Sequence, residues 1–270
     1  MTDKECCPMS ESTIEVEEHE GVATVWLARP DALNTINKAV AKDLRATGYR
    51  LAAKRDLRAV VIRGRGSCFS AGGDVTMFSD HMDDIATYML DVIPDFHEFL
   101  LTLRGLSAST VAAVHGVAAG GGLSLALACD FVVAESGARF ATAYRKLGAT
   151  ADGGITHSLT HLVGPRRALD LMLRSDGIGA EEAVAIGLIN RHVPAADFDA
   201  ELSSLVSSLV VTSPLVVREV RNLVHGAVSS TFAAQLRAET SSFVRSAETM
   251  DFREGVAAFM DKRTPVFVGR

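Results

Sequence analysis

The sequence VAAGGGLSLALACD (residues 117–130) places three consecutive glycines in front of an apolar segment. Glycine destabilises a helix, so three in a row are expected where the backbone turns sharply or lies against another group. We therefore divide this region into a buried strand (TVAAVHG, 110–116), a glycine turn and a buried helix (LSLALAC, 123–129). The stretch predicts the centre of a hydrophobic core.

A membrane-spanning helix is the alternative interpretation, because no residue from Val111 to Cys129 carries a formal charge. Gly116 and Gly120 also form the small-xxx-small spacing that packs membrane helices. A helix that continues through three glycines is unfavourable, however, and the core interpretation is preferred. No contact with a membrane is expected.

The composition of the chain limits its fold and its partners. Its 270 residues can bury a large core, either as one sizeable domain or as a domain with a small appendage. A hydrophobic content of 48% and a mean hydropathy of +0.20 favour an oligomer that hides apolar surface between subunits. The net charge of −6 argues against binding to nucleic acid, which requires a basic surface.

The four cysteines indicate a reducing compartment. Cys6 and Cys7 are adjacent in a polar segment, whereas Cys68 and Cys129 lie among apolar residues, so neither a disulfide framework nor a CxxC metal motif is predicted. The N-terminal residues MTDKECCPMSEST lack the basic and apolar regions of a secretory signal. A cytoplasmic location is expected.

Strands and helices alternate over the first two thirds of the chain, whereas the last third has only helical periodicity. The predicted strands include 22–30, 58–64 and 131–135. A helix is predicted at 37–55, one or two helices at 80–106 and a loop at 138–154. This order predicts an α/β layered core at 13–200, preceded by a flexible tail at 1–12 and followed by a helical region at 201–270.

Two strand-to-helix junctions share one design. VVIRGRGSCFSAGGDV (60–75) and TVAAVHGVAAGGGLSL (110–125) both run from a buried strand into adjacent glycines. Glycine lets a backbone N–H approach a ligand, and two such groups that converge on one oxygen form an oxyanion hole. Close packing of helix on strand is the alternative. A phosphate loop is disfavoured, because Phe69 stands where a dinucleotide fingerprint needs glycine and no GK[ST] is present.

Other kinds of site have weaker support. His157 and His161 have the spacing of a metal-binding pair, but Ser158 stands where a zinc protease has glutamate, and such pairs usually lie on a helix surface. The residues around Ser70 read CFSAG and do not match the G-x-S-x-G motif of serine hydrolases. No metal site is expected.

With FSAGGD (69–74) and AAVHGVAAGGGLSLALACD (112–130) both in view, the chain resembles the enoyl-CoA hydratase/isomerase (crotonase) superfamily. The resemblance runs from about residue 14 to the C-terminus. It implies an α/β fold, a ClpP-like spiral of ββα units with a C-terminal helical trimerisation region, and a homotrimer or a dimer of trimers. It also implies an acyl-CoA substrate, with coenzyme A as part of the substrate and no separate cofactor, whose thioester oxygen accepts hydrogen bonds from Gly73 and Gly121.

The reaction is less constrained than the family. Hydratases that resemble this chain use two glutamates, but the corresponding positions hold Ser124 and Tyr144, so hydration is disfavoured. The segment AYRKLGATADGG (143–154) resembles the ring-1,2-epoxyphenylacetyl-CoA isomerase branch, whose catalytic aspartate falls on Asp152. Double-bond isomerisation with Asp152 as acid and base is therefore expected. The alternative role for Asp152 is a cap on a helix that begins at Gly153.

Two further alternatives follow from the resemblance. His97 falls where aryl-CoA hydrolytic dehalogenases have a water-activating histidine, so Asp152, Tyr144 and His97 could form such a site, with Asp152 as nucleophile. A histidine on a long amphipathic helix is more often structural. The other alternative is a catalytically idle protein that only binds coenzyme A.

The resemblance also assigns binding residues, all of them expectations. Ala32, Leu33 and Ala71 are expected near the adenine and ribose of coenzyme A. Phe259 and Lys262 are expected to reach the same ligand from a neighbouring subunit, with Lys262 directed towards the 3′-phosphate. The acyl group is expected to lie against Met77, His81 and Met82.

Overall fold

The structure is a computed structural model that describes residues 12–270. The tail predicted at 1–12 therefore lies outside the described residues except for Ser12. The strands are β1 (Ile14–His19), β2 (Val22–Leu27), β3 (Ala59–Gly64), β4 (Ser109–Val114), β5 (Val117–Ala119), β6 (Phe131–Glu135), β7 (Arg139–Ala141), β8 (Ile178–Gly179) and β9 (Arg191–Val193). The helices are α1 (Lys38–Ala52), α2 (Val75–Asp80), α3 (Ile85–Gly105), α4 (Gly121–Ala128), α5 (Ile155–Leu173), α6 (Ala180–Ala185), α7 (Phe198–Val210), α8 (Pro214–Ala227), α9 (Phe232–Ala247) and α10 (Met250–Asp261).

The strands form two sheets. The larger sheet has six strands in the order β1-β2-β3-β4-β6-β9, antiparallel between β1 and β2 and parallel elsewhere. The smaller sheet has the order β5-β7-β8, with β5 and β7 parallel. Because β4 belongs to the larger sheet and β5 to the smaller one, the chain changes sheets at Gly116, where φ is +59°.

The central strands are apolar on both faces because both faces are covered by helices. On β3, Val60 and Ile62 belong to the main core, whereas Val61 joins a second cluster on the opposite face of the sheet. Phe198 and Leu202 of α7 complete that second cluster. The apolar run at 58–64 was therefore correctly predicted to form a buried strand.

The boundary between the core and the C-terminal helices lies later than the predicted residue 200. Helix α7 begins at Phe198 and packs against β3, β4 and β6, so it belongs to the layered core. The helices that follow are α8, α9 and α10, and α8 and α9 pack against each other.

Three predicted elements differ from the structure. The predicted loop at 138–154 contains β7 and a 3-10 turn at Tyr144–Leu147, because β7 pairs with β5 across a long sequence separation. The segment 80–106, predicted to form one or two helices, also contains a 3-10 turn at Met82–Asp84 between the end of α2 and α3. Helix α4 begins at Gly121, two residues before the predicted start, because Gly120 makes the turn with φ +49°.

The charge-free stretch that raised the membrane alternative is divided among β4, β5 and α4, and every residue from Gly121 to Leu127 is buried. Among residues 12–270, no single helix is long and apolar enough to span a bilayer. The segments Ala195–Val210 and Pro214–Ala227 meet the length and composition requirement only as a pair bent by 100°.

Candidate active site

The two glycine-containing junctions meet through their backbones. Gly72 has φ +94°, and a Cβ placed on it would lie 2.5 Å from the carbonyl oxygen of Ala119 and 3.2 Å from the nitrogen of Gly121. A Cβ on Gly120 would lie 3.8 Å from the Cα of Gly72. Any side chain at residue 72 would therefore separate the two junctions, which explains glycine at this position.

Gly73 and Gly121 each present an N–H group at this contact. Ile36 donates to the carbonyl of Gly72 and accepts from the amide of Asp74, so this pairing uses neither the N–H nor the carbonyl of Gly73. Gly121 is the first residue of α4, where N–H groups lack an acceptor within the helix and carry a partial positive charge. The fold thus brings the two predicted oxyanion donors to neighbouring backbones.

A partly buried ion pair holds the first junction. Arg29 Nη1 lies 3.0 Å from Asp74 Oδ2 and also donates to the carbonyl of Thr35. Burial alone would raise the pKa of Asp74, but hydrogen bonds from the Thr76 hydroxyl and the Arg29 guanidinium outweigh burial and lower it. Asp74 therefore stays ionised, and its ion pair with Arg29 holds the backbone directly after Gly73.

Ser124 and Phe96 connect α4 to the loop that contains Asp152. Ser124 lies one helical turn after Gly121, and its hydroxyl lies 3.2 Å from the carbonyl oxygen of Asp152. A Cβ on Gly153 would lie 2.5 Å from the Cβ of Ser124 and 3.0 Å from the ring of Phe96. The same ring would lie 3.7 Å from a Cβ on Gly121. The backbone of Asp152 and Gly153 is therefore held beside α4, the helix that begins at the predicted donor Gly121.

The Tyr144 hydroxyl donates a 2.6 Å hydrogen bond to Asp152 Oδ1. Burial raises the pKa of Tyr144 above its usual value of about 10, and the adjacent Asp152 charge raises it further. Tyr144 therefore remains protonated at neutral pH and acts as a donor. The Ser124 hydroxyl lies 3.4 Å from the Tyr144 oxygen, so the two residues at the expected glutamate positions are close together.

His97 also lies at this loop. Its Nε2 accepts a 2.9 Å hydrogen bond from the amide of Gly153, the residue that follows Asp152. A ring nitrogen that accepts a hydrogen bond carries no proton, so the contact assigns the proton of the neutral ring to Nδ1. His97 therefore contacts the residue next to Asp152, and a catalytic role for His97 stays a prediction.

The alternative role of Asp152 as a helix cap is wrong. Helix α5 begins at Ile155, its N-cap is Gly154, and no side chain caps it. Gly154 has φ +71°, so the chain turns after Asp152 and the carboxylate faces Tyr144 instead. Only the backbone carbonyl of Asp152 is bonded to the helix start, through the amide of Ile155.

The expected coenzyme A residues fall into two groups. Ala71 donates from its amide to the carbonyl of Leu33, so these residues form one edge beside the first glycine junction. The amides of Ala32 and Leu33 are also bonded within the chain, which leaves carbonyl oxygens as the backbone groups that could contact a ligand. Phe259 and Lys262 lie at the C-terminal end of α10 with exposed side chains, away from these contacts.

The expected acyl-pocket residues differ in environment. Met77 packs against the core, and the ring of His81 stacks on Tyr88 with centroids 4.3 Å apart. Met82 is 64% exposed. A lining role for these residues stays a prediction.

Sequence reasoning missed two aromatic residues at the site. A Cβ on Gly73 would lie 2.6 Å from Phe78 Cζ, so the ring of Phe78 covers this glycine. Phe96 lies between Gly121 and Gly153, as described above. The apolar spacing of α3 places Phe96 on its buried face, but periodicity alone does not distinguish a core residue from a site residue.

His157 and His161, considered above as a possible metal-binding pair, lie one turn apart on α5. The two rings lie 4.0 Å apart, and the Nδ1 of His161 bonds the carbonyl of His157 in its own helix. Within the part of the chain that the structure describes, no group of three or more histidine, cysteine, aspartate or glutamate side chains could hold a metal ion.

Comparisons with known proteins agree on the family. The family model "Enoyl-CoA hydratase/isomerase" matches residues 17–270. A protein named probable enoyl-CoA hydratase from Rhodobacter capsulatus is 35% identical over 97% of this chain and all of its own length. The protein named 4-chlorobenzoyl coenzyme A dehalogenase-2 from Arthrobacter is 29% identical over 94% of this chain and 92% of its own.

A solved structure of an enoyl-CoA hydratase from Polaromonas sp. JS666 superposes with a TM-score of 0.89 at 30% identity. The superposed region covers 94% of this chain and 99% of the solved chain. The expected α/β spiral with C-terminal helices is thereby confirmed. The chain belongs to the enoyl-CoA hydratase/isomerase family, the crotonase superfamily.

Proposed function

We propose that this protein moves the double bond of an enoyl-CoA thioester, with Asp152 transferring the proton. The observation that carries the proposal is the hydrogen bond between Tyr144 and Asp152. It holds a carboxylate near the start of α4, where Gly121 is the second predicted oxyanion donor. Within residues 12–270, neither residue at the expected glutamate positions is a carboxylate, since these residues are Ser124 and Tyr144. The relatives named hydratases set the family, and these two side chains support isomerisation within it.

The steps follow from the arrangement. The thioester oxygen would accept hydrogen bonds from the amides of Gly73 and Gly121, which stabilise the negative charge that forms when a carbon-bound proton leaves. Asp152 would remove the proton from the α-carbon of a 3-enoyl thioester and become a carboxylic acid. The electron pair of the broken C–H bond would spread over the conjugated enolate. The same acid would then return the proton to the γ-carbon, which gives a 2-enoyl thioester and regenerates the carboxylate.

The experiment that tests this proposal is a panel of 3-enoyl-CoA and 2-enoyl-CoA thioesters of several chain lengths, analysed by chromatography and mass spectrometry. We expect a conjugated product of unchanged mass from 3-enoyl substrates. A product heavier by one water from 2-enoyl substrates would contradict the proposal. Saturable binding of coenzyme A without turnover of any thioester would favour the catalytically idle alternative.

Hydrolytic removal of a halide from an aryl-CoA is a second candidate function, favoured by the contact between His97 and Gly153. In that reaction the Asp152 carboxylate would bond to the ring carbon, the halide would leave, and water would cleave the resulting ester. The Nε2 of His97 is already bonded to Gly153, however, which weakens its role as the base for water. Halide release from 4-chlorobenzoyl-CoA would establish this candidate, and its absence would exclude it.

We also propose that the protein works as a homotrimer or a dimer of trimers. Helices α8 to α10 carry large exposed apolar side chains, which a monomer would leave in water. They include Val220, Val224, Phe232, Phe243 and Phe259. Sedimentation equilibrium is expected to give three or six times the chain mass of 28.7 kDa, whereas a monomer would contradict the assembly. A cytoplasmic location stays a prediction.

A further inference from the structure

The two oxygens of the Asp152 carboxylate differ in their surroundings. Oδ1 accepts the 2.6 Å hydrogen bond from Tyr144. Among residues 12–270, no donor is bonded to Oδ2. The carboxylate is partly buried, so an oxygen without a donor is the one available to a substrate. The two carboxylate oxygens are therefore in different environments before any substrate binds: within the described residues, Oδ1 is hydrogen-bonded and Oδ2 is not.

Tyr144 makes this asymmetry permanent at neutral pH. Because burial raises its pKa, its hydroxyl keeps its proton and can only donate to the neighbouring carboxylate. A donor at 2.6 Å from an anionic acceptor forms a strong, charge-assisted bond. That bond opposes rotation of the carboxylate, so Oδ2 keeps one direction.

His97 and Ser124 fix the backbone on which this carboxylate is carried. His97 Nε2 accepts from the amide of Gly153, and the Ser124 hydroxyl lies 3.2 Å from the carbonyl oxygen of Asp152. These contacts hold the carbonyl and the N–H of the peptide group between Asp152 and Gly153. Ser124 also leaves no room for a side chain at residue 153.

We propose that Tyr144, His97 and Ser124 form an Asp152 clamp, in which the three side chains position Asp152 so that Oδ2 alone exchanges the proton with the substrate. The inference rests on the proposed function and deepens it, because it assigns the reactive oxygen and the residues that aim it. His97 is thus a positioning residue, and so is Tyr144. Neither takes a proton from the substrate or from water.

The first test replaces Tyr144 by phenylalanine, which removes only the hydroxyl. For isomerisation of 3-butenoyl-CoA, we expect Tyr144→Phe to lower kcat by about tenfold to a hundredfold, because a misplaced catalytic group costs about that much, while KM changes little.

The matched control is Tyr49→Phe, since the Tyr49 hydroxyl bonds Glu98 on the surface. This variant should leave kcat and KM unchanged. Wild-type kcat in Tyr144→Phe would overturn the assignment of Tyr144.

The second test compares two replacements of His97. Glutamine can place its side-chain oxygen near the position of Nε2 and accept from Gly153, whereas leucine cannot. We expect His97→Gln to retain most of kcat and His97→Leu to lose it by about tenfold or more. Wild-type activity in both variants would contradict the clamp. An equal loss of activity in both variants would also overturn the positioning role, because it would make His97 a catalytic base.

The outcomes separate the clamp from the function beneath it. If Asp152→Asn loses turnover while Tyr144→Phe and His97→Leu match the wild type, the clamp is wrong and the proposed function stands. If Asp152→Asn keeps turnover, the proposed function itself is wrong. Should Tyr144→Phe fail to fold, as judged by thermal melting, the two His97 variants decide the matter.

Discussion

Tyr144 and Asp152 lie eight positions apart in the chain, and the tyrosine hydroxyl donates a 2.6 Å hydrogen bond to the aspartate carboxylate. The loop between them turns at Gly148, where φ is +65°. Tyr144 stands at an expected glutamate position, and Asp152 supplies the carboxylate to which its hydroxyl is bonded. The site therefore pairs a carboxylate with a neutral donor where a hydratase is expected to have two carboxylates. The first predictions follow from this pairing.

Hydration of crotonyl-CoA should be negligible. Addition of water to a double bond needs one group to activate the water and another to protonate carbon. Among residues 12–270, the two expected glutamate positions hold Ser124 and a neutral Tyr144, with the Asp152 carboxylate bonded to Tyr144. The measurement is the loss of enoyl absorbance with time at neutral pH. A rapid loss, accompanied by a 3-hydroxyacyl product, would contradict the role given to Ser124 and Tyr144.

Tyr144 should resist ionisation in alkaline solution. Because its pKa is raised, the hydroxyl keeps its proton beyond about pH 10, where an exposed tyrosine ionises. Phenolate absorbance of the folded wild type and of Tyr144→Phe should therefore coincide at that pH. A wild-type signal larger by one tyrosine would show that Tyr144 ionises normally.

Gly72→Ala should lose both stability and activity. The residue has φ +94°, and a Cβ would lie 2.5 Å from the carbonyl oxygen of Ala119, so the two glycine junctions must separate. We expect a loss of about 1–3 kcal/mol in the free energy of unfolding and a large fall in kcat. The control is Gly137→Ala, whose Cβ would have no neighbour within 4 Å. Equal behaviour of the two variants in urea unfolding and turnover would refute this account of the junction.

Asp74→Asn should destabilise the protein in a pH-dependent way. The folded-state pKa of Asp74 is lowered, so its ionised form contributes stability that is complete above its unfolded value of about 3.9 and is lost as the pH falls through the folded value. At pH 7 the variant should lose about 1–3 kcal/mol, because the partly buried Arg29 guanidinium loses its charged partner.

The check on Asp74 is the free energy of unfolding of wild type and variant from pH 7 down to pH 2. The difference between the two proteins should shrink as Asp74 becomes protonated in the wild type. A difference that stays constant over this range would show that the Arg29–Asp74 pair does not act through its charge.

Many strands and helices could be predicted from the sequence, because the residue patterns that determine them are local. The apolar runs of β3, β4 and β6 predicted strands buried on both faces, and the glycines at 120–122 predicted the turn before α4. Strand β7 was missed because its pairing with β5 depends on a distant partner. The start of α4 was predicted two residues too late, because glycine has a low helix propensity. Gly121 and Gly122 nevertheless form the first turn, where N–H groups lack an acceptor within the helix.

The site was predictable in its members and less so in its contacts. Gly73, Gly121, Asp152 and Tyr144 come from motifs, and the fold brings them together. No local signal shows that His97 bonds the amide of Gly153, because the two residues lie on elements 56 positions apart. The same holds for Phe78 over Gly73, which is a packing relationship that periodicity cannot specify.

The measurement that tests the central claim most directly is the turnover of Asp152→Asn on 3-enoyl-CoA thioesters, beside its affinity for coenzyme A. Asparagine keeps the size of the side chain and removes its basicity, so we expect normal melting and binding with kcat lower by about a thousandfold or more. Turnover close to that of the wild type would show that Asp152 does not carry the proton, and the proposed reaction would be wrong.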